Sequence, residues 1–186
     1  MRKLIVSEFV SLDGVIEAPG GEEGFKHTGW VLDFHDSDLL AYKLEEVLAA
    51  DALLLGRVTY EGFAEAWPSS DMAGFADKMN SMPKHVASTT LNARVEQLEV
   101  DRGRCRRWSR SAQAEDGGDL LVAGSRTLVH TLIEYNLVDE YRLMIFPVVL
   151  GSGGRLFPAR QEKVVLRLVD TKAFDSGVVV QTYHPA

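Results

Sequence analysis

Apolar positions along the first half of the chain fall in short runs, separated by polar stretches or by segments with a helical rhythm. Residues 3–10, KLIVSEFV, are rich in β-forming residues and predict a first strand. The next stretch, SLDGVIEAPGGEEG, contains Gly14, Pro19, Gly20 and Gly21 and reads as a long loop. Leu40, Leu44, Val47 and Leu48 recur at helical spacing, so a helix is predicted over 37–50, with Asp36 or Ser37 as its N-cap. ADALLL (50–55) is a short apolar run of the kind buried on both faces of a parallel sheet. A helix opens at Arg57 to Thr59 and ends before Pro68, a short helix fits within 69–82, and KHVAST (84–89) is a further strand.

The second half changes rhythm. DLLVA (119–123) predicts a strand, SRTLVHTLIEYN (125–136) a helix and DEYRLMIFPVVL (139–150) a long strand. A glycine-rich turn, GSGGRLF, follows. KVVLRLVDTKAF and VVVQTYH then flank a DSG turn and read as a hairpin. Helices between the early strands and a hairpin at the end predict an α/β fold. Its sheet is mixed and mainly parallel, flanked by helices, with a C-terminal antiparallel hairpin, and residues 1–186 form a single domain.

Composition narrows the function classes. The 186 residues are 46% hydrophobic and 25% charged, ordinary for a globular chain with a sizeable core. A net charge of -7 argues against nucleic acid as a partner. No apolar stretch is long enough to span a membrane, and MRKLIVSEFVSLDG reads as a strand rather than a signal peptide. Cys105 is the only cysteine, which excludes an intrachain disulfide and suits a cytoplasmic protein. The histidines show no metal-ligand spacing, so no metal site is expected. Arg102, Arg104, Arg106, Arg107 and Arg110 cluster around Trp108 in an otherwise acidic chain; that patch is assigned no function.

Two strand–glycine–helix junctions carry the candidate chemistry. LLLGRVTYEGF places Gly56 at the turn, with Arg57 and Thr59 in the first helical turn; LLVAGSRTLV repeats this with Gly124, Ser125, Arg126 and Thr127. A helix start offers unpaired N–H groups and the positive end of its dipole, and glycine lets an anion approach them. Glycine also ends strands for packing alone. Two such junctions, each followed by arginine, favour a nucleotide with more than one phosphate. The Gly-x-Gly-x-x-Gly spacing of a Rossmann site and the Gly-Lys-Ser/Thr of a Walker loop are both absent.

Taken in order, SLDGVI, LLLGRVTYEGF, DLLVAGSRTLV and VDEYRLMIFPVVLGSGGRLF resemble the dihydrofolate-reductase-like superfamily. Within it they most resemble the reductase domain of the bifunctional riboflavin-biosynthesis deaminase–reductase and its stand-alone bacterial relatives. The resemblance implies NADPH as cofactor. It implies that Gly56, Arg57 and Thr59 lie at the adenosine and pyrophosphate end, and that Ser88 and Thr89 contact the 2′-phosphoadenosine. Gly124, Ser125, Arg126, Thr127 and Leu128 would form the second phosphate-binding turn beside the nicotinamide, with Asp13 and Gly14 in the loop over it. Dihydrofolate reductases carry a cis Gly-Gly pair where this chain has Gly124-Ser125.

Reduction also needs a proton, and His35, Asp36 and Asp38 are candidates near one helix start; Asp36 and Asp38 form the expected catalytic pair. Asp at a helix start is usually a cap, which explains Asp36 without any catalysis. Relatives commonly dimerise through the long strand and the hairpin, so a homodimer is expected. The leading reading is an NADPH-dependent reductase of a small heterocyclic or carbonyl substrate. A pyrimidine reductase of riboflavin synthesis and a nucleotide-binding protein without turnover are the alternatives.

Overall fold

The computed structural model describes residues 2–72, 74–88, 96–98, 117–159 and 163–186. Among the described residues, eight strands form one sheet: β1 (Leu4–Ser11), β2 (Ala52–Gly56), β3 (Lys84–Ala87), β4 (Glu96–Leu98), β5 (Leu120–Val122), β6 (Glu140–Phe146), β7 (Leu166–Ala173) and β8 (Val179–Pro185). Their order is β4-β3-β2-β5-β1-β6-β8-β7. Every pairing from β4 to β6 is parallel, and β8 then pairs antiparallel with β6 and with β7. This is the mainly parallel sheet with a terminal hairpin that the strand and helix sequence predicted.

Among the described residues four helices accompany it: α1 (Ser37–Ala49), α2 (Arg57–Ala66), α3 (Phe75–Ser81) and α4 (Arg126–Glu134). The alternation of each strand assigns them to faces. Leu4, Val6, Leu54, Leu120 and Val122 pack with Leu128, Val129, Leu132 and Ile133 of α4. Ile5, Leu53, Leu55 and Leu121 point the other way, onto Val47 of α1 and Phe75 and Met79 of α3. β2 is buried at all five positions, which explains why its sequence shows no polar alternation. A third, aromatic cluster gathers Trp30, Phe146, Phe174 and Val180 around Leu39 at the start of α1.

The structure trims several predicted elements. The long strand stops at Phe146, because Pro147 has no N–H for the ladder. The third helix spans only Phe75–Ser81, and short 3₁₀ turns occur at Trp30–Asp33 and Trp67–Ser69. β7 begins at Leu166 rather than Lys163, and β4 was not anticipated. The arginine cluster and Cys105 lie outside the described residues.

Candidate active site

Because β1, β2, β3 and β5 run parallel, their C-terminal ends share one edge of the sheet. β2 and β5 are neighbours, with Leu54 opposite Val122. The two glycine junctions therefore lie side by side, and Gly56 N–H donates to the Gly124 carbonyl at 3.3 Å. Backbones approach this closely only without side chains. A Cβ on Gly56 would overlap the Ser125 side chain, and one on Gly124 would sit 2.9 Å from Thr59 Oγ1. Gly124 also has φ +79, in the left-handed region that favours glycine, and the Gly124–Ser125 peptide is cis.

Neither helix start is closed by its own N-cap: Gly56 of α2 and Ser125 of α4 make no side-chain cap hydrogen bond. Two positive dipole ends thus open at one spot, ready for an anion. The arginines flank it at the surface. Arg57 pairs with Glu61 at 2.6 Å, and Arg126 lies 3.5 Å from Glu17. Ser88 is buried at the end of β3, and Leu128 points into the core, so only its backbone faces the junction. Thr127 is exposed in the first turn of α4. Thr89 lies outside the described residues.

Asp13 and Gly14 follow β1 at the same edge. The Asp13 carboxylate accepts from Ser11 Oγ at 2.7 Å and from the N–H groups of Leu150 and Gly151 at 3.1 and 2.9 Å. Those donors, Ser11 first, hold its pKa down at about 2. Asp13 is thus a latch between the loop after β1 and the glycine turn after β6. Glu17 accepts from Gly154 N–H at 2.5 Å, and Ile16 N–H donates to the Gly154 carbonyl at 2.9 Å. Arg126, Thr127, His130, Gly154 and Arg155 help to wall an open cleft of 560 Å³ beside this stitched pair of loops.

Asp36 and Asp38 fall elsewhere. Asp36 caps α1, accepting from Asp38 and Leu39 N–H at 2.9 and 3.0 Å, and its other oxygen takes Ser176 N–H at 2.9 Å. Led by Leu39 and Ser176, these donors hold it at about 2. It ties α1 to the β7–β8 turn, while Asp38 and His35 are exposed. The hydrogen bonds of Asp36 run to α1 and to Ser176, not to the glycine junctions.

Sequence reasoning missed a different carboxylate. Glu8, only 8% exposed, stands on β1 and accepts Gly124 N–H at 2.7 Å. Burial pushes its pKa up to about 7, against the opposing pull of the Gly124 hydrogen bond and of Lys43. A signal was present: a Glu inside LIVSEFV, a strand apolar on either side of it. On the opposite face of β1, Ser7 joins a lattice of charges. Lys43 bridges Ser7 Oγ and Glu46 at 2.7 and 2.5 Å, and Arg142 reaches Glu46 at 3.3 Å and Glu140 at 2.7 Å.

With this geometry in hand, comparison with known proteins decides the family. The model of the RibD C-terminal domain matches residues 2–180. The chain belongs to the RibD C-terminal domain family. Among curated relatives it is 30% identical over 187 residues to YyaP of Bacillus subtilis (strain 168), an uncharacterized protein, covering 98% of this chain and 95% of YyaP. Among solved structures, a candidate riboflavin biosynthesis protein from Shewanella sp. PV-4 superposes with TM-score 0.71 at 19% identity, covering 99% of each chain. The dihydrofolate reductase of Enterococcus faecalis, solved with NADP(H), gives TM-score 0.63 at 18% identity over 98% of this chain and 96% of its own. The fold of this RibD C-terminal domain is therefore dihydrofolate-reductase-like. Among the described residues there is no helix long and apolar enough to cross a membrane, and no group of three His, Cys, Asp or Glu placed to hold a metal ion.

Proposed function

We propose that the protein is an NADPH-dependent reductase of a small heterocyclic or carbonyl substrate. The observation that carries this reading is the nesting of two helix starts, free of side-chain caps, against one another at the ends of β2 and β5. Membership of the RibD C-terminal domain family and the dihydrofolate-reductase-like fold support a reductase. The residues present fit the cofactor, because Gly56 packs against Ser125 and Gly124 against Thr59 so tightly that a Cβ at either glycine would force the two helix starts apart. The amides opening α2 and α4 would hold its pyrophosphate, with Arg57 and Arg126 at the rim and Ser88 and Thr89 toward the 2′-phosphate. The cofactor supplies a hydride when bound; the chain positions it and excludes water. Asp13 and Gly14 keep the loop after β1 latched over that edge.

The second reading, a pyrimidine reductase of riboflavin synthesis, is favoured by the family match itself. It differs in requiring a site for a ribosylamino-pyrimidine phosphate. A nucleotide-binding protein without turnover is the remaining alternative, and cofactor oxidation with any substrate excludes it.

Titration with NADPH and NADH, followed by nicotinamide fluorescence, tests the reading. Tight binding selective for NADPH is expected, and Arg57→Ala should weaken it about tenfold or more, the value of one charge-assisted phosphate contact. No binding of either nucleotide would overturn the assignment. We also propose a homodimer: β7 is a sheet edge that leaves Leu168 and Val169 about half exposed, next to exposed Val164 and Val165. Light scattering that gives the mass of one chain would refute it.

A further inference from the structure

Three glutamates are buried in the described structure, Glu8, Glu46 and Glu140, and two of them are neutralised by cations. Glu46 has Lys43 and Arg142, and Glu140 has Lys3 and Arg142. Among the described residues no cation lies within ion-pairing distance of Glu8; the hydrogen bond given to its carboxylate is the neutral Gly124 N–H. Gly124 is the turn residue of the second helix start, and the contact spans 116 positions of sequence.

We propose that Glu8 is a positioning residue that couples nucleotide binding at the β5–α4 turn to the uptake of a proton. The inference rests on the cofactor reading above and adds a control to it. In the neutral form the acid keeps its contact with Gly124 through a carbonyl oxygen. In the ionised form it brings a full negative charge to the turn where an anionic pyrophosphate would sit. An anion therefore binds the protonated protein more tightly, and by linkage the bound anion raises the proton affinity of Glu8. The charged side chains that act on Glu8 are Lys43 and Glu46 of α1, which already neutralise one another at 2.5 Å. From α2 it is Thr59 that faces Gly124, and Arg126 of α4 is turned toward Glu17. Burial of Glu8 keeps the neutral form populated near pH 7, where the coupling would operate.

The test compares NADPH dissociation constants of the wild type and Glu8→Gln at pH 6 and pH 8.5. Gln mimics the neutral acid, and taking the ratio cancels titration of the cofactor's own phosphate. Equal affinities at pH 6 and roughly tenfold tighter binding by E8Q at pH 8.5 are expected, the effect of one unit charge within a turn of chain at protein-like dielectric. A ratio that stays constant with pH overturns the coupling while leaving the cofactor reading intact. Absence of binding by either protein at both pH values overturns the cofactor reading itself. A second measurement uses the wild type alone for affinity: the Glu8 carboxyl carbon resonance is titrated with and without NADPH. Its midpoint should rise by about one pH unit when the nucleotide is bound; an unchanged midpoint overturns the proposal.

Discussion

The two faces of β1 solve the same problem in opposite ways. Ser7 and Glu8 are adjacent in sequence and both buried, yet they point to opposite sides of the sheet. On the Ser7 side, Glu46 stays charged despite burial, because Lys43 and Arg142 lie within hydrogen-bond reach. On its own side, Glu8 receives one backbone N–H and no cation among the described residues, and burial pushes its pKa up to about 7. Burying a charge is costly unless it is paired, and a titratable group escapes that cost by neutralising. The lattice is therefore fitted for rigidity, whereas the lone acid can respond to pH.

Removing the pairing on the lattice side should give the largest effect. Glu46→Ala leaves the half-buried Lys43 and Arg142 without their shared partner, a change worth about 3–5 kcal/mol of folding stability. Urea denaturation at pH 7 would measure it; a loss under 1 kcal/mol would show that the lattice is solvated and that the contrast with Glu8 is false. The next effect concerns pH. The folded pKa of Glu8, about 7, exceeds its unfolded value of 4.5, so the folded state binds the proton more tightly within that window. Stability is fully present below pH 4.5, falls as pH rises toward 7 and is flat above it. Glu8→Gln removes this falling arm. Its advantage over the wild type should grow by on the order of 2–3 kcal/mol between pH 5 and pH 8. Glu140 has the opposite sign: burial would raise its pKa, but hydrogen bonds from Lys3, His184 and Arg142 win and hold it at about 2. Its contribution is present above pH 4.5 and is lost as the solution is acidified toward pH 2. An E8Q difference that does not change with pH would mean that Glu8 is solvated enough to remain ionised.

Local features were legible in the sequence because they depend on neighbours in the chain. The apolar run at Leu53 to Leu55, the spacing of Leu128, Val129, Leu132 and Ile133, and the glycines at 56 and 124 each announce an element through their own immediate context. The cap at Asp36 was legible for the same reason. What stayed hidden depends on register between distant strands. Glu8 meets Gly124 only because β5 pairs with β1 in a register that sets Val6 opposite Val122. Asp13 becomes a latch only when the chain returns at Leu150 and Gly151, more than 130 positions later. Nothing within ten residues of either carboxylate specifies those partners. Candidate acids were accordingly sought where carboxylates cluster, at Asp36 and Asp38, rather than where one is isolated among apolar residues.

Asp36 supplies the smallest and sharpest test of the contrast. It receives three backbone N–H groups and sits at about 2, while Glu8 receives one, is buried, and sits near 7. Donor number and solvent access, not residue type, set the difference. Asp36→Ala removes the cap of α1 and its tie to Ser176, so the melting temperature should fall by a few degrees. The NADPH dissociation constant should remain within about twofold of the wild type, since the hydrogen bonds of Asp36 run to α1 and Ser176. Asp36→Asn separates capping from proton donation, because Asn caps about as well as Asp but cannot supply a carboxylic proton. If the residue is a cap, the Asn variant regains wild-type stability and wild-type rates of cofactor oxidation together. Full stability with a tenfold loss of rate would return Asp36 to the reaction and leave Glu8 as the carboxylate tied to binding through Gly124.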